Sequence, residues 1–263
     1  MKTIIVEMAM ILVISGNNIF SQSSGQETAA NIGFSAGISH CQLKENSLNG
    51  LVHSGPGFSA AAVYANKCSN SLHRLEMMAG LNLLKTDYEP EIGSYLIQLS
   101  ARYSINCQVT KLNDRFNLYI GGLAKLEASQ GIYTNWDVNH FYWLTAYGIG
   151  FNSIAKYEIS NTSMFSAEFG LPVLSLISRT PEELLFHEAK AEFLYVVNQV
   201  HQKPSLEFPN HHFNPQLRLA YHRKIGKKAI QTIFWRFDYV RSKAKGSSEF
   251  HNINNALGIE FLF

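Results

Sequence analysis

The sequence predicts an all-β fold: a transmembrane antiparallel up-and-down β-barrel of about ten strands, with eight or twelve as the alternatives. Three observations lead there. Segments that alternate apolar and polar residues recur along the 263 residues, while helical periodicity is nearly absent. The connections between them alternate between tight turns and longer loops. The last segment, ending at Phe263, presents an apolar stripe on one face.

At the amino terminus, Lys2 is followed by Thr3 to Val6, then Glu7, then an apolar run from Met8 to Ile14 that gives way to small and polar residues by Ser21. A basic start, a short apolar middle and a small-residue exit read as a secretory signal peptide over 1–21, cleaved after Ser21 to expose Gln22. The run is too short to span a bilayer as a helix, and no later stretch approaches the roughly 18 uninterrupted apolar residues that a membrane helix needs. No cysteine lies beside the cleavage point, which argues against a lipid anchor. Residues 22–263 suffice for one domain.

Strands are expected at 31–41, 57–66, 71–84, 94–107, 115–128, 142–157, 163–178, 213–223, 229–241 and 251–263. Most are long enough to cross a membrane at a tilt, whereas soluble strands run to about five or six residues. In the fourth, Tyr95, Ile97, Leu99, Tyr103 and Ile105 oppose Gln98, Ser100, Arg102, Ser104 and Asn106. In the fifth, Phe116, Leu118, Ile120, Ala124 and Leu126 oppose Asn117, Tyr119, Lys125 and Glu127. The ninth sets Ile233, Trp235, Phe237 and Tyr239 against Thr232, Arg236 and Asp238. One side suits lipid and the other a polar interior. A soluble sandwich alternates in the same way with its faces reversed, so the termini and the connections must decide.

The connections after even-numbered strands are tight: Lys67 to Asn70, Thr110 to Asp114, Glu158 to Thr162 and Lys224 to Lys228. Those after odd-numbered strands are generally longer, the longest covering 179–212. Short turns at one rim and longer loops at the other are the pattern of a membrane barrel with both termini on the turn side. Within the longest loop, Thr180-Pro-Glu-Glu183 is a capping box with proline at the first helical position. A short helix is expected from Pro181 to about Asn198, apolar enough through Leu184, Leu185, Phe193, Leu194 and Val197 to cover the rim or dock an envelope partner.

In the last strand Ile253, Leu257, Ile259, Phe261 and Phe263 share one face, with Asn255 among them. The ending Gly258-Ile-Glu-Phe261-Leu-Phe263 resembles the carboxyl-terminal signal of Gram-negative outer-membrane β-barrel proteins, with Gly258, Phe261 and Phe263 at the motif positions. Ala256 stands where that signal usually has a polar residue. The resemblance implies an outer-membrane location with both termini periplasmic, outer-membrane lipid around the barrel, and recognition by the barrel-assembly machinery.

On the inferred inner face lie Arg74, Arg102, Lys125, Arg218 and Arg236 with Glu76, Glu127, Glu168, Asp238 and Glu260. The signs balance. Unpaired charge is costly in a narrow barrel, so these residues are expected to form a lumen charge network that plugs the barrel. A selective channel using the same charges as a filter is the alternative. The net charge of +2 argues against nucleic acid as a partner. Of the three cysteines, Cys41, Cys68 and Cys107, the last two could approach one another in this topology.

Little in the chain names a reaction. Ten-strand barrels include the omptin-type proteases, and Asp87, Glu89, Asp137 and His140 partly resemble their acidic and Asp-His pairs at the outer rim, although the Asp-His spacing departs from that family. No His-x-Ser lipase pair occurs; His53 and Ser54 are adjacent and face opposite sides of a strand, as do His211 and His212 as metal ligands. Lys224-Ile-Gly-Lys-Lys228 is a basic patch on a periplasmic turn. No cofactor or metal is expected. The reading is non-enzymatic: a barrel with a plugged or narrow polar lumen that presents external loops to a ligand or partner. A small-solute channel and an omptin-like rim hydrolase are the alternatives.

Overall fold

The computed structural model describes residues 29–46, 50–68, 70–86, 93–113, 115–133, 140–179, 204–225, 229–243 and 249–263. The expected signal peptide, the helix from Pro181 and the candidates Asp87, Glu89 and Asp137 lie outside the described residues, and only the backbone of His140 is described.

Twelve strands follow one another: β1 (Ala29–Glu45), β2 (Val52–Cys68), β3 (Ser71–Leu84), β4 (Ser94–Asn113), β5 (Phe116–Tyr133), β6 (His140–Ser160), β7 (Ser163–Arg179), β8 (Ser205–Glu207), β9 (His212–Phe213), β10 (Gln216–Ile225), β11 (Ala229–Ser242) and β12 (Phe250–Leu262). Each long strand pairs antiparallel with its neighbours in sequence. The ring closes where β12 meets β1, from Gly33↔Leu262 to Glu45↔Phe250, and where β7 meets β10, from Ser163↔Arg223 to Gln216↔Gly170. This is a closed up-and-down barrel of 10 strands. The short β8 and β9 sit at its loop rim, paired to β7 and β11.

All ten expected strands are present, and several reach further toward the loop rim than their sequence pattern indicates. Gly55-Pro56-Gly57 reads as a break, yet β2 runs through it, with Pro56 opposite His40 and facing outward. Gly55 is required there: a Cβ would lie 1.9 Å from the Leu83 carbonyl oxygen. The expected strand 213–223 is instead split, because Asn214-Pro215 interrupts the ladder between β9 and β10.

The faces are inside out relative to a soluble protein. Ile32 and Ile38 on β1 are each 69% exposed, with Phe34, Phe58, Leu99, Ile149 and Leu257 on the same outer surface. Glu127, Glu168, Arg218, Arg236 and Glu260 are buried within. One irregularity alters this alternation. Between β6 and β7, Gly150 pairs with Pro172 and Ile149 with Leu174, leaving Val173 as an extra residue. Before this bulge Ser166, Glu168 and Gly170 point inward; after it Ser175, Ile177 and Arg179 occupy the opposite parity.

The three cysteines are free thiols, Cys41 buried and Cys107 exposed. Ser71 pairs with both Cys68 and Cys107, so a whole strand separates those two. Two strand spacings, about 9–10 Å, exceed disulfide reach.

Candidate functional site

The lumen holds the concentration of charge. Arg74 on β3 pairs with Glu76 at 2.8 Å and with Glu260 on β12. Glu260 also takes Arg218 of β10 at 3.1 Å, and Arg236 of β11 crosses to Glu76 at 3.0 Å while contacting Asp238 at 3.1 Å. Beside this cluster, Arg102 on β4 meets Glu168 on β7 at 2.7 Å, and Asn152 of β6 accepts a second bond from the same guanidinium nitrogen at 2.7 Å. Nearer the loop rim, Lys125 and Glu127 of β5 pair at 2.7 Å, bridged by Asn214, which accepts from the ammonium and donates to the carboxylate. All ten charged residues inferred to face inward are thus drawn into ion pairs. Several are chords across the barrel rather than neighbours on adjacent strands.

Each arrangement follows from local sequence. Period-two alternation turns Arg74 and Glu76, Lys125 and Glu127, Arg236 and Asp238 to the same side of their strands. Closure then brings distant strands within side-chain reach. Charges excluded from water need partners and further hydrogen bonds, which the planar guanidinium groups and Asn106, Asn152 and Asn214 provide. Phe234 lies under the Arg218 guanidinium at 4.7 Å and against Gly258, where a Cβ would meet the ring at 2.5 Å. Gly258 therefore makes room for a packed ring inside the barrel, while Phe261 and Phe263 flank Phe34 on the outside at 5.7 and 6.1 Å.

Above the charges, at the loop rim, the lumen turns apolar. Leu43, Leu84, Leu96, Tyr133, Leu144 and Phe250 are all nearly inaccessible to solvent and form one cluster. Within it, Arg179 pairs with Glu45 at 2.7 Å, donates to the Ser242 carbonyl at 3.0 Å, and stacks its guanidinium over Phe250 at 5.5 Å. The His53 ring meets Tyr133 at 4.8 Å. On β9, beyond the rim, His212 is 1% exposed; its burial pushes the imidazole down to about 4, against the pull of Glu127.

Sequence reasoning does not find this cap. The inward apolar residues lie at strand ends, past the expected limits of β1, β2, β5 and β11 or their neighbours, and Arg179 is turned inward only by the Val173 bulge. The available signal is a reversal of polarity along the inner face: Cys41 and Leu43 follow Ser35 and Ser39 on β1, and Val240 follows Arg236 and Asp238 on β11. The rim candidates Asp87, Glu89 and Asp137 lie outside the described residues. No group of three His, Cys, Asp or Glu side chains among the described residues forms a metal-ligand set.

A hydrogen-bonded ring with no free edge, an apolar exterior and a charged interior meets the requirement that every backbone polar group in lipid be satisfied within the protein. The chain is an outer-membrane-type β-barrel. No protein-family model and no curated protein matches its sequence. Among solved structures it is similar to the outer-membrane protease OmpT from Escherichia coli, at 7% identity over 93% of this chain and 99% of that one, with a TM-score of 0.49. It is also similar to the translocator domain of the autotransporter NalP from Neisseria meningitidis, at 9% identity over 98% and 96% of the two chains, with a TM-score of 0.46. Neisserial surface protein A matches at 9% identity over 88% and 97%, with a TM-score of 0.37. At these identities and scores the likeness describes barrel layout and carries nothing about activity.

Proposed function

We propose that this chain is an outer-membrane barrel sealed along its lumen that acts through its external loops, 179–212 foremost, by presenting them to a ligand or envelope partner. The observation that carries the reading is the double closure: a fully paired charge network in mid-barrel and a buried apolar cluster above it. Ten-strand barrels are small enough for side chains to fill, whereas open aqueous channels belong to about sixteen strands or more. On this reading both termini, at the turn rim, face the periplasm, and Gly258, Phe261 and Phe263 present the strand that the barrel-assembly machinery reads.

The deciding experiment is single-channel recording of refolded residues 22–263 in a planar bilayer. A folded and silent barrel is expected. Reproducible conductance steps would overturn the sealed reading and make the ten lumen charges the selectivity filter of a small-solute channel.

A further inference from the structure

Below the charge network, on the turn side, the lumen opens into a cavity of about 380 Å³ that the sealed-barrel reading does not use. Its lining is unevenly charged. The two deep carboxylates, Glu168 and Glu260, are already committed to Arg102 and to Arg74 with Arg218. Lys67, Lys156 and Lys224 line the same space from β2, β6 and β10 and form no ion pair among the described residues. Lys156 is half-buried, with its ammonium 5.4 Å from the centre of the Tyr119 ring. Glu158, exposed at the mouth, is the one further carboxylate in the lining.

An ammonium inside a low-dielectric wall is costly without a counter-charge, and a face of the ring offers only part of one. The nearby histidine does not add to the imbalance. His222 has both ring nitrogens engaged, by Ser166 at 2.7 Å and Thr232 at 2.8 Å, so one accepts and the other donates and the ring is held neutral. Between the lysines the walls are apolar, from Leu72, Ile154, Met164 and Ile230. A concave site with a few convergent cations and apolar walls is built for a compact ligand with an anionic head.

We propose that the turn-side cavity binds a small organic anion, a phosphate or carboxylate on a compact apolar body, entering from the turn rim with its head on Lys156 and with Lys67 and Lys224 at the mouth. This site is independent of the loop-side role proposed above, being separated from it by the charge network. Lysine ammoniums bind such heads as point charges, which fits phosphate and carboxylate alike.

The test uses the refolded chain in lipid nanodiscs with its lysine ammoniums labelled with nitrogen-15, titrated separately with phenyl phosphate, benzoate and uncharged benzyl alcohol. Saturable shifts with one or both anions and none with the alcohol are expected, and the ratio of the two anion affinities tells phosphate from carboxylate. Lys156→Met, which keeps the stem and removes the charge, should weaken binding about tenfold or more, while Lys44→Met at the loop rim should not. Folding of each variant is checked by heat-modifiable gel mobility, and Lys67→Gln at the solvent-exposed mouth is the second variant should Lys156→Met not fold. Absence of saturable binding to the folded wild type, equal binding of the alcohol, or affinity unchanged by loss of the lysine would overturn the proposal.

Discussion

Arg102 on β4 and Glu168 on β7 meet at 2.7 Å across the lumen, three strands apart around the ring, with Asn152 of the intervening β6 bonded to both. The space for this contact is left by Gly170, whose absent Cβ would lie 3.1 Å from the Arg102 guanidinium. The pair is a strut. It ties opposite walls of the barrel through groups that have no access to bulk water.

Removing one end of that strut leaves the other charged and buried. Arg102→Ala or Glu168→Ala should each cost about 3–5 kcal/mol in urea unfolding from lipid vesicles, and each should open a leak in planar bilayers. The Arg102→Met, Glu168→Met double variant should cost less than either single change, because no orphan charge remains. Unchanged stability and conductance in the single variants would remove the network from any sealing role.

The apolar cap should respond to lost volume rather than lost charge. Phe250 is fully buried and lies under the Arg179 guanidinium. Phe250→Ala should cost about 3–5 kcal/mol of unfolding free energy and admit water to the Arg179–Glu45 pair, read as faster hydrogen exchange at the loop ends of β1 and β12.

His212 supplies a pH dependence with a definite sign. Lys125 and Arg179 disfavour its protonated form, Glu127 favours it, and burial outweighs all three, so the folded value lies near 4 against an ordinary 6.5. Between those values the unfolded chain binds the proton and the folded one does not. Stability from this group is therefore complete above about pH 6.5 and is lost as pH falls toward 4. His212→Phe should flatten the stability profile in that window; an unchanged profile would place the dependence elsewhere.

Gly258 and Phe263 belong to the same terminal motif and should fail in different ways. Gly258→Val forces the Phe234 ring off Arg218 and should destabilise the refolded barrel by about 1–3 kcal/mol. Phe263→Ala removes only an outward ring beside Phe34 and should leave refolded stability nearly unchanged while slowing assembly in cells. Equal loss of refolded stability in both would contradict the inward packing role of Gly258.

Alternation of residue type is a property of the pleat within one strand, and it is written locally. The outward sides of the fourth, fifth and ninth expected strands, the barrel class and the rhythm of turns and loops all follow from it. What the pleat cannot carry is distance around the ring. That Arg236 crosses to Glu76, or that Glu260 serves two arginines, depends on closure between β12 and β1 and between β7 and β10. The loop-side cap escaped for two further physical reasons. Strands continue through Gly55-Pro56-Gly57 once both neighbours supply the ladder, and a single extra residue at Val173 reverses the face of everything after it, which is how Arg179 comes to lie inside. Local chemistry decided which residues face inward along each regular strand; the closed ring and its one bulge decided which of them meet.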